Sequence, residues 1–337
     1  MEFKIALVQM LVTAEKDANL CRAERLVAKA ASTGAKVIIL PESFNIPFGN
    51  EFVRDNAEAL DGSGRTHELL SSLAKRHDVY IIGGTIPEIE NGKFYNSCPL
   101  YNRQGCMVGR YRKMHLFDIN IPGKIVYKES DVITPGGEPV IFRTEFANIG
   151  LGICYDVRFP QLALAYANKG ELILGHPIPC LLLEIVVVRI VLRTCFTVDK
   201  NGCIARCQLL VYPSAFSVTT GNLHWMLLSR SRAVDTLSYV AMCSPARNEA
   251  AKTVAYGYST VVDPWGKTIA AAAEEEDIVY ADICKRPVST SLVVLHTYAS
   301  GIDNVSSARE RIPLLNQARL DIYASGFKNE PIVVDGC

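Results

Sequence analysis

The sequence has no excess of charge of either sign. Lysine plus arginine and aspartate plus glutamate number 35 each over 337 residues, so no net field draws the chain to nucleic acid or to an anionic membrane. An apolar run of bilayer length is also missing. The stretch 180–192 has eleven apolar residues of thirteen but carries Glu184 and Arg189, and a span needs ~20. Pro/Gly/Ser-rich linkers and blocks of like charge are absent too. A single domain over 1–337 is therefore expected, with a core from about 3 to 285, although the length would permit two.

Several chemistries are excluded by motifs that are not there. Gly150-x-Gly152 lacks the third glycine of a dinucleotide fingerprint, and the phosphate-loop, Gly-x-Ser-x-Gly and His-Glu-x-x-His patterns do not occur. Cys203 and Cys207 have no second pair and the six histidines are isolated, so neither a metal nor a cofactor is expected. The local signature of papain-type proteases is missing around Cys154, which argues against a Cys-His pair with His115, His176 or His224. Eleven irregularly spaced cysteines and the lack of a signal-peptide pattern point to free thiols in a reducing compartment. The cytoplasm is the expected location, with the mitochondrion as alternative. A small neutral or anionic metabolite is the natural partner.

What is present is an alternation of strand and helix patterns. Residues 3–9 read as a strand, 15–32 as a helix stopped by Gly34, and 36–40 as a buried strand, a succession that argues for layered α/β architecture. The pattern continues with a helix over 66–77, a strand over 79–84 and a hairpin of 94–101 with 107–111. Strands over 148–153, 208–212, 239–244, 257–262 and 278–283 follow, with helices over 159–168 and 223–235. Periodicity alone supports α/β with large sheets.

Three short motifs stand near strand ends: Leu40-Pro41-Glu42, Tyr111-Arg112-Lys113 and Gly152-Ile153-Cys154-Tyr155-Asp156. Sheet ends favour catalytic groups, because the strand fixes the backbone and the loop exposes the side chain. A thiol, a carboxylate and an ammonium suffice for thiol acyl transfer. Cys154 would attack a carbon bearing a nitrogen leaving group, Glu42 would shuttle the proton, and Lys113 with the Tyr155 N–H would hold the oxyanion. Lys113 is also expected to lower the Cys154 pKa, and partial burial to raise that of Glu42. Alone each motif is weak, since a cysteine beside an apolar strand is commonly a small buried hydrophobe.

Glu42, Lys113 and Cys154 in that order resemble the carbon-nitrogen hydrolase (nitrilase) superfamily, and the similarity is closest to its omega-amidase branch. Further carriers are Ala6-Leu7-Val8-Gln9, Pro41-Glu42-Ser43-Phe44-Asn45, the run His115-Leu116-Phe117-Asp118-Ile119-Asn120-Ile121-Pro122-Gly123-Lys124, Arg158-Phe159-Pro160 and Val261-Val262-Asp263-Pro264-Trp265-Gly266. The resemblance implies a four-layer α-β-β-α sandwich, self-association as a homodimer, and a second glutamate, Glu129, that orients the lysine and the substrate. It also implies hydrolysis of the terminal amide of small dicarboxylate monoamides, 2-oxoglutaramate and 2-oxosuccinamate, through a cysteine thioester. The alternatives are another amidase, acting on deaminated glutathione or an N-carbamoyl compound, and a non-catalytic isoform. Arg158 has the fork to bind a substrate carboxylate, but Asp156 two residues earlier is its expected partner, which favours a structural role. The pattern is interrupted at 171–206 and 287–303, read as insertions of non-family origin, and the tail 328–337 is expected to be a mobile end.

Overall fold

A computed structural model of the chain describes residues 2–121, 125–167, 206–284 and 332–336. In chain order these form β1 (Glu2–Gln9), α1 (Lys16–Ser32), β2 (Val37–Ile39), α2 (Asn50–Asn56), α3 (Arg65–His77), β3 (Tyr80–Ile82), β4 (Ile86–Glu90), β5 (Lys93–Tyr101) and β6 (Met107–Arg112). A hairpin of β7 (Asp118–Ile121) and β8 (Ile125–Lys128) follows, then β9 (Val140–Arg143), β10 (Asn148–Leu151), α4 (Pro160–Ala167) and β11 (Leu209–Pro213). The remainder is α5 (Val218–Thr236), β12 (Tyr239–Cys243), β13 (Thr260–Val262), β14 (Thr268–Ala271), β15 (Asp277–Cys284) and β16 (Ile332–Asp335).

Two seven-stranded sheets result. One runs β15-β1-β2-β3-β5-β4 with β6 paired to β5, and the other runs β14-β13-β12-β11-β10-β9-β16. The central strands β1, β2 and β3 are parallel, as are β10, β11 and β12. Parallel strands covered on both faces are apolar throughout rather than alternating. In β1, Ile5 and Leu7 belong to a cluster shared with Ile149, Leu151, Val211 and Ala241 of the other sheet, while Ala6 and Val8 pack with Leu20, Leu26 and Val27 of α1. Leu162 and Tyr166 of α4 and Trp225 of α5 lie in the cluster of the second sheet. The layers are therefore helix, sheet, sheet, helix: the four-layer sandwich. Each Val, Leu or Ile so buried stabilises by about 1.5–3 kcal/mol.

Local signals account for the boundaries. In α1 the apolar positions Leu20, Ala23, Leu26, Val27 and Ala30 are buried on one stripe, and the helix stops at Thr33 before Gly34, whose φ of +90° costs glycine nothing. Seven elements lie outside the expected pattern: α2, β4, β7, β8, β9, β14 and β16.

The tail departs from expectation. Rather than a loose end, β16 pairs in parallel with β9, Val333 opposite Ile141 and Val334 opposite Phe142, and both valines pack against the larger core cluster. A short β-branched run offered an open sheet edge pairs with it. Residues 171–205 and 287–303 lie outside the described residues, whereas Arg206 leads into β11. No helix among the described residues is long and apolar enough to cross a membrane.

Candidate active site

Glu42 lies just past the end of β2, where the chain leaves the sheet. Thr85 holds its backbone on both sides, donating N–H to the Pro41 carbonyl at 3.1 Å and accepting from Ser43 N–H through Oγ1 at 2.9 Å. Ser43 itself has φ +52°, a left-handed conformation that costs of order 1–3 kcal/mol outside glycine. Gly84 makes this approach possible, since a Cβ there would fall 2.2 Å from the Pro41 carbonyl oxygen. The Glu42 side chain is fully buried. Its Oε2 accepts from the Ala215 N–H at 2.7 Å and its Oε1 from Asn96 Nδ2 at 3.0 Å.

Lys113 follows β6 and is fully buried between two carboxylates. Its Nζ is 2.9 Å from Glu42 Oε1 and 2.9 Å from Glu129 Oε2. Glu129 is buried in a 3₁₀ turn after β8 and accepts from the Phe117 N–H at 2.7 Å. Burial works against the lysine's charge, but Glu129 and Glu42 outweigh it and hold the ammonium well above the ordinary lysine range. A charge removed from water persists only when it is paired in this way.

Cys154 stands one residue beyond Ile153, after β10, and opens a 3₁₀ turn, Cys154–Arg158. Its φ is +46°, a second strained residue at the site. Gly152 lets the strand end against Tyr212, whose ring would lie 2.4 Å from a Cβ at that position. Asp156 ties the turn down: its Oδ2 accepts from Ile153 N–H at 2.8 Å and from the Tyr111 hydroxyl at 2.7 Å, and its Oδ1 accepts from His115 N–H at 2.9 Å. His115 Nδ1 is a further 2.7 Å from Oδ1, and its ring stacks on Phe159.

Two expectations are corrected here. The Cys154 thiol is not poised low. Burial pushes it well above the ordinary cysteine value, and the nearby Glu42 charge adds to the rise more than Lys113 takes away. The sequence displays the neighbouring ammonium but not the burial. Nor does Asp156 pair with Arg158, because its oxygens are taken by Ile153, Tyr111 and His115. Arg158 pairs with no carboxylate among the described residues. One Nη meets His224 Nδ1 at 3.2 Å, the guanidinium lies over the rings of Tyr155 and Phe216, and its Nε is buried without a hydrogen-bond partner.

Cys154, Tyr155 and Arg158 all line a cavity of about 290 Å³, walled by the aromatic rings of Phe48, Phe117, Tyr127 and Phe216. At its rim Lys252 and Glu51 form an ion pair at 2.6 Å. Sequence reasoning missed Asn96, Thr85, Phe48 and Phe216; only Phe117 stood in a quoted motif. No group of three or more His, Cys, Asp or Glu among the described residues is arranged to hold a metal ion. Chemically, a buried thiol under the influence of a carboxylate and a charged amine, open to an apolar-walled cavity, can attack a small acyl compound and stabilise the resulting oxyanion.

Comparison with known proteins gives the same picture. Residues 4–286 match the family model described as carbon-nitrogen hydrolase. The chain is 40% identical over 326 residues to omega-amidase NIT2 of Homo sapiens, covering 97% of this chain and 98% of that one. It is 40% identical over 323 residues to omega-amidase NIT2 of Danio rerio, covering 96% and 97%. Among solved structures, Nit3 of Saccharomyces cerevisiae, a member of branch 10 of the nitrilase superfamily, superposes with a TM-score of 0.72 at 33% identity, covering 94% of this chain and 97% of that one. With similarity of that extent to near-full-length relatives, the chain belongs to the carbon-nitrogen hydrolase family.

Proposed function

We propose that the protein is an omega-amidase, hydrolysing the terminal amide of 2-oxoglutaramate and 2-oxosuccinamate to the dicarboxylate and ammonia. The relatives' name supports this reading, and so does one observation about the cavity. Arg158 has a buried, unpartnered Nε and no carboxylate of its own in the cavity that Cys154 reaches. A guanidinium so placed fits the carboxylate that distinguishes these substrates from simple amides.

In the first half-reaction Glu42 takes the thiol proton as Cys154 Sγ attacks the amide carbon. Lys113 Nζ and the Tyr155 N–H receive the oxyanion, and Glu129 keeps Lys113 charged and aimed. The tetrahedral adduct collapses to a thioester as the C–N bond breaks, and Glu42 returns the proton to the leaving ammonia. In the second half, water gives its proton to Glu42 and attacks the thioester. The C–S bond then breaks and the proton goes back to sulfur. The high thiol pKa fits this order, because the thiolate forms only as the attack occurs.

We further propose a single domain with insertions at 171–206 and 287–303, in the cytoplasm, acting on a small-molecule amide as a homodimer. Leu223 (66% exposed) and Leu227 (62%), one turn apart on α5, are the apolar surface that a second copy would cover. Ammonia release from 2-oxoglutaramate tests the activity, with Cys154→Ala as control; equal release from both would reject the mechanism.

A further inference from the structure

Beside the large cavity lies a second chamber of about 30 Å³. A single water needs about 10–15 Å³ and two to four polar partners. The two spaces divide the catalytic groups between them. Cys154 borders the large cavity and not the small one, whereas Glu42 borders the small one and not the large. Phe48, Ala215 and Thr253 line both, so the two spaces adjoin there. Ser43 and Asn248 add polar atoms to the chamber, and Ala251 and Thr253 carry it toward the surface loop.

We propose that this chamber is a water site serving the second half-reaction, through which the nucleophile that cleaves the thioester reaches Glu42 without passing the substrate. The inference rests on the amidase mechanism above. Once acylated, Cys154 carries the substrate's carbon chain in the large cavity, so solvent on that side is displaced from the thioester. Glu42 Oε2 accepts from the Ala215 N–H at 2.7 Å, and Ala215 borders the chamber, which leaves a further acceptor position on that oxygen beside it. A water in the chamber occupies that position, gives its proton to Glu42, and its oxygen bonds to the acyl carbon as the C–S bond breaks. Released ammonia and acid follow the stoichiometry of simple hydrolysis.

Ala251 is half-buried and lines the chamber but not the large cavity, so a larger side chain there fills the chamber first. In the full chain, Ala251→Phe and the milder Ala251→Val are to be compared with wild type by rapid-quench ammonia measurement and intact mass. The expected result is a burst of about one ammonia per active site followed by a steady rate about tenfold lower, with the acyl adduct on Cys154 accumulating and Ala251→Val intermediate. An unchanged steady rate in Ala251→Phe overturns the proposal. So does loss of the burst in both variants, because acylation would then be what the chamber serves. Wild-type protein that forms no adduct and releases no ammonia would instead reject the amidase reading itself.

Discussion

The Tyr111 hydroxyl and the Asp156 carboxylate meet at 2.7 Å, joining the strand that leads to Lys113 to the turn that holds Cys154. His115, on the other side of Lys113, grips the other oxygen of Asp156. Lysine and thiol are thus positioned through one shared carboxylate. Replacing Tyr111 with Phe leaves that buried oxygen a donor short and is expected to cost about 1–3 kcal/mol in denaturant unfolding. The associated slackening should lower kcat by about tenfold to a hundredfold. Initial rates and unfolding midpoints check both.

The Cys154 thiol is held protonated by burial and by Glu42. For an acid whose folded pKa is raised, the neutral form dominates until the pH passes that raised value. Alkylation of Cys154 by iodoacetamide should therefore be slow at pH 7 and still climbing above pH ~8.5, where an unperturbed thiol titrates. A rate that levels off below pH 7 would instead mean that Lys113 governs the thiol.

Gly84 has φ +57°, and its missing Cβ is what lets the Pro41 carbonyl approach. Gly84→Ala introduces both a backbone penalty and a contact that only movement of Pro41 relieves, and Pro41 precedes Glu42. A destabilisation of at least about 1–3 kcal/mol is expected from overpacking, with loss of ammonia release exceeding what unfolding explains. Thermal melts measured beside activity separate the two.

Arg158→Gln keeps a polar side chain but removes the charge and the fork. A charge-assisted hydrogen bond contributes about 1.5–3 kcal/mol, so KM for 2-oxoglutaramate should rise about tenfold to 150-fold. Turnover of an amide without a carboxylate, such as propionamide, should barely change. Steady-state kinetics on the two substrates gives the contrast.

Much of this was legible in the residues. The unbroken apolar run of β1 and the stripe of α1 announce a strand covered on both faces and a helix lying on it. Glu42, Lys113 and Cys154 could be singled out because each follows a strand within a recognisable motif. What stayed hidden depends on distance or on burial. Asn96 touches Glu42 and Glu129 from 54 and 33 residues away, and nothing in its own strand marks it. Asp156 looked like the partner of Arg158 because the two are neighbours in sequence, yet the 3₁₀ turn sends their side chains to different groups. β4 and β9 are short, and the second takes its place between its neighbour β10 and the distant β16. The direction of the Cys154 pKa shift is hidden for a related reason: the motif displays the lysine, but not the burial and the nearness of Glu42 that together outweigh it.

The central claim is that one sulfur carries the acyl group between two half-reactions. Acid-quenched mixtures of enzyme and 2-oxoglutaramate, examined by intact mass and peptide mapping, test it most directly. The account predicts an acyl adduct on the peptide containing Cys154, absent in Cys154→Ala. Steady ammonia release with no adduct at that residue, or the same release from Cys154→Ala, would contradict it.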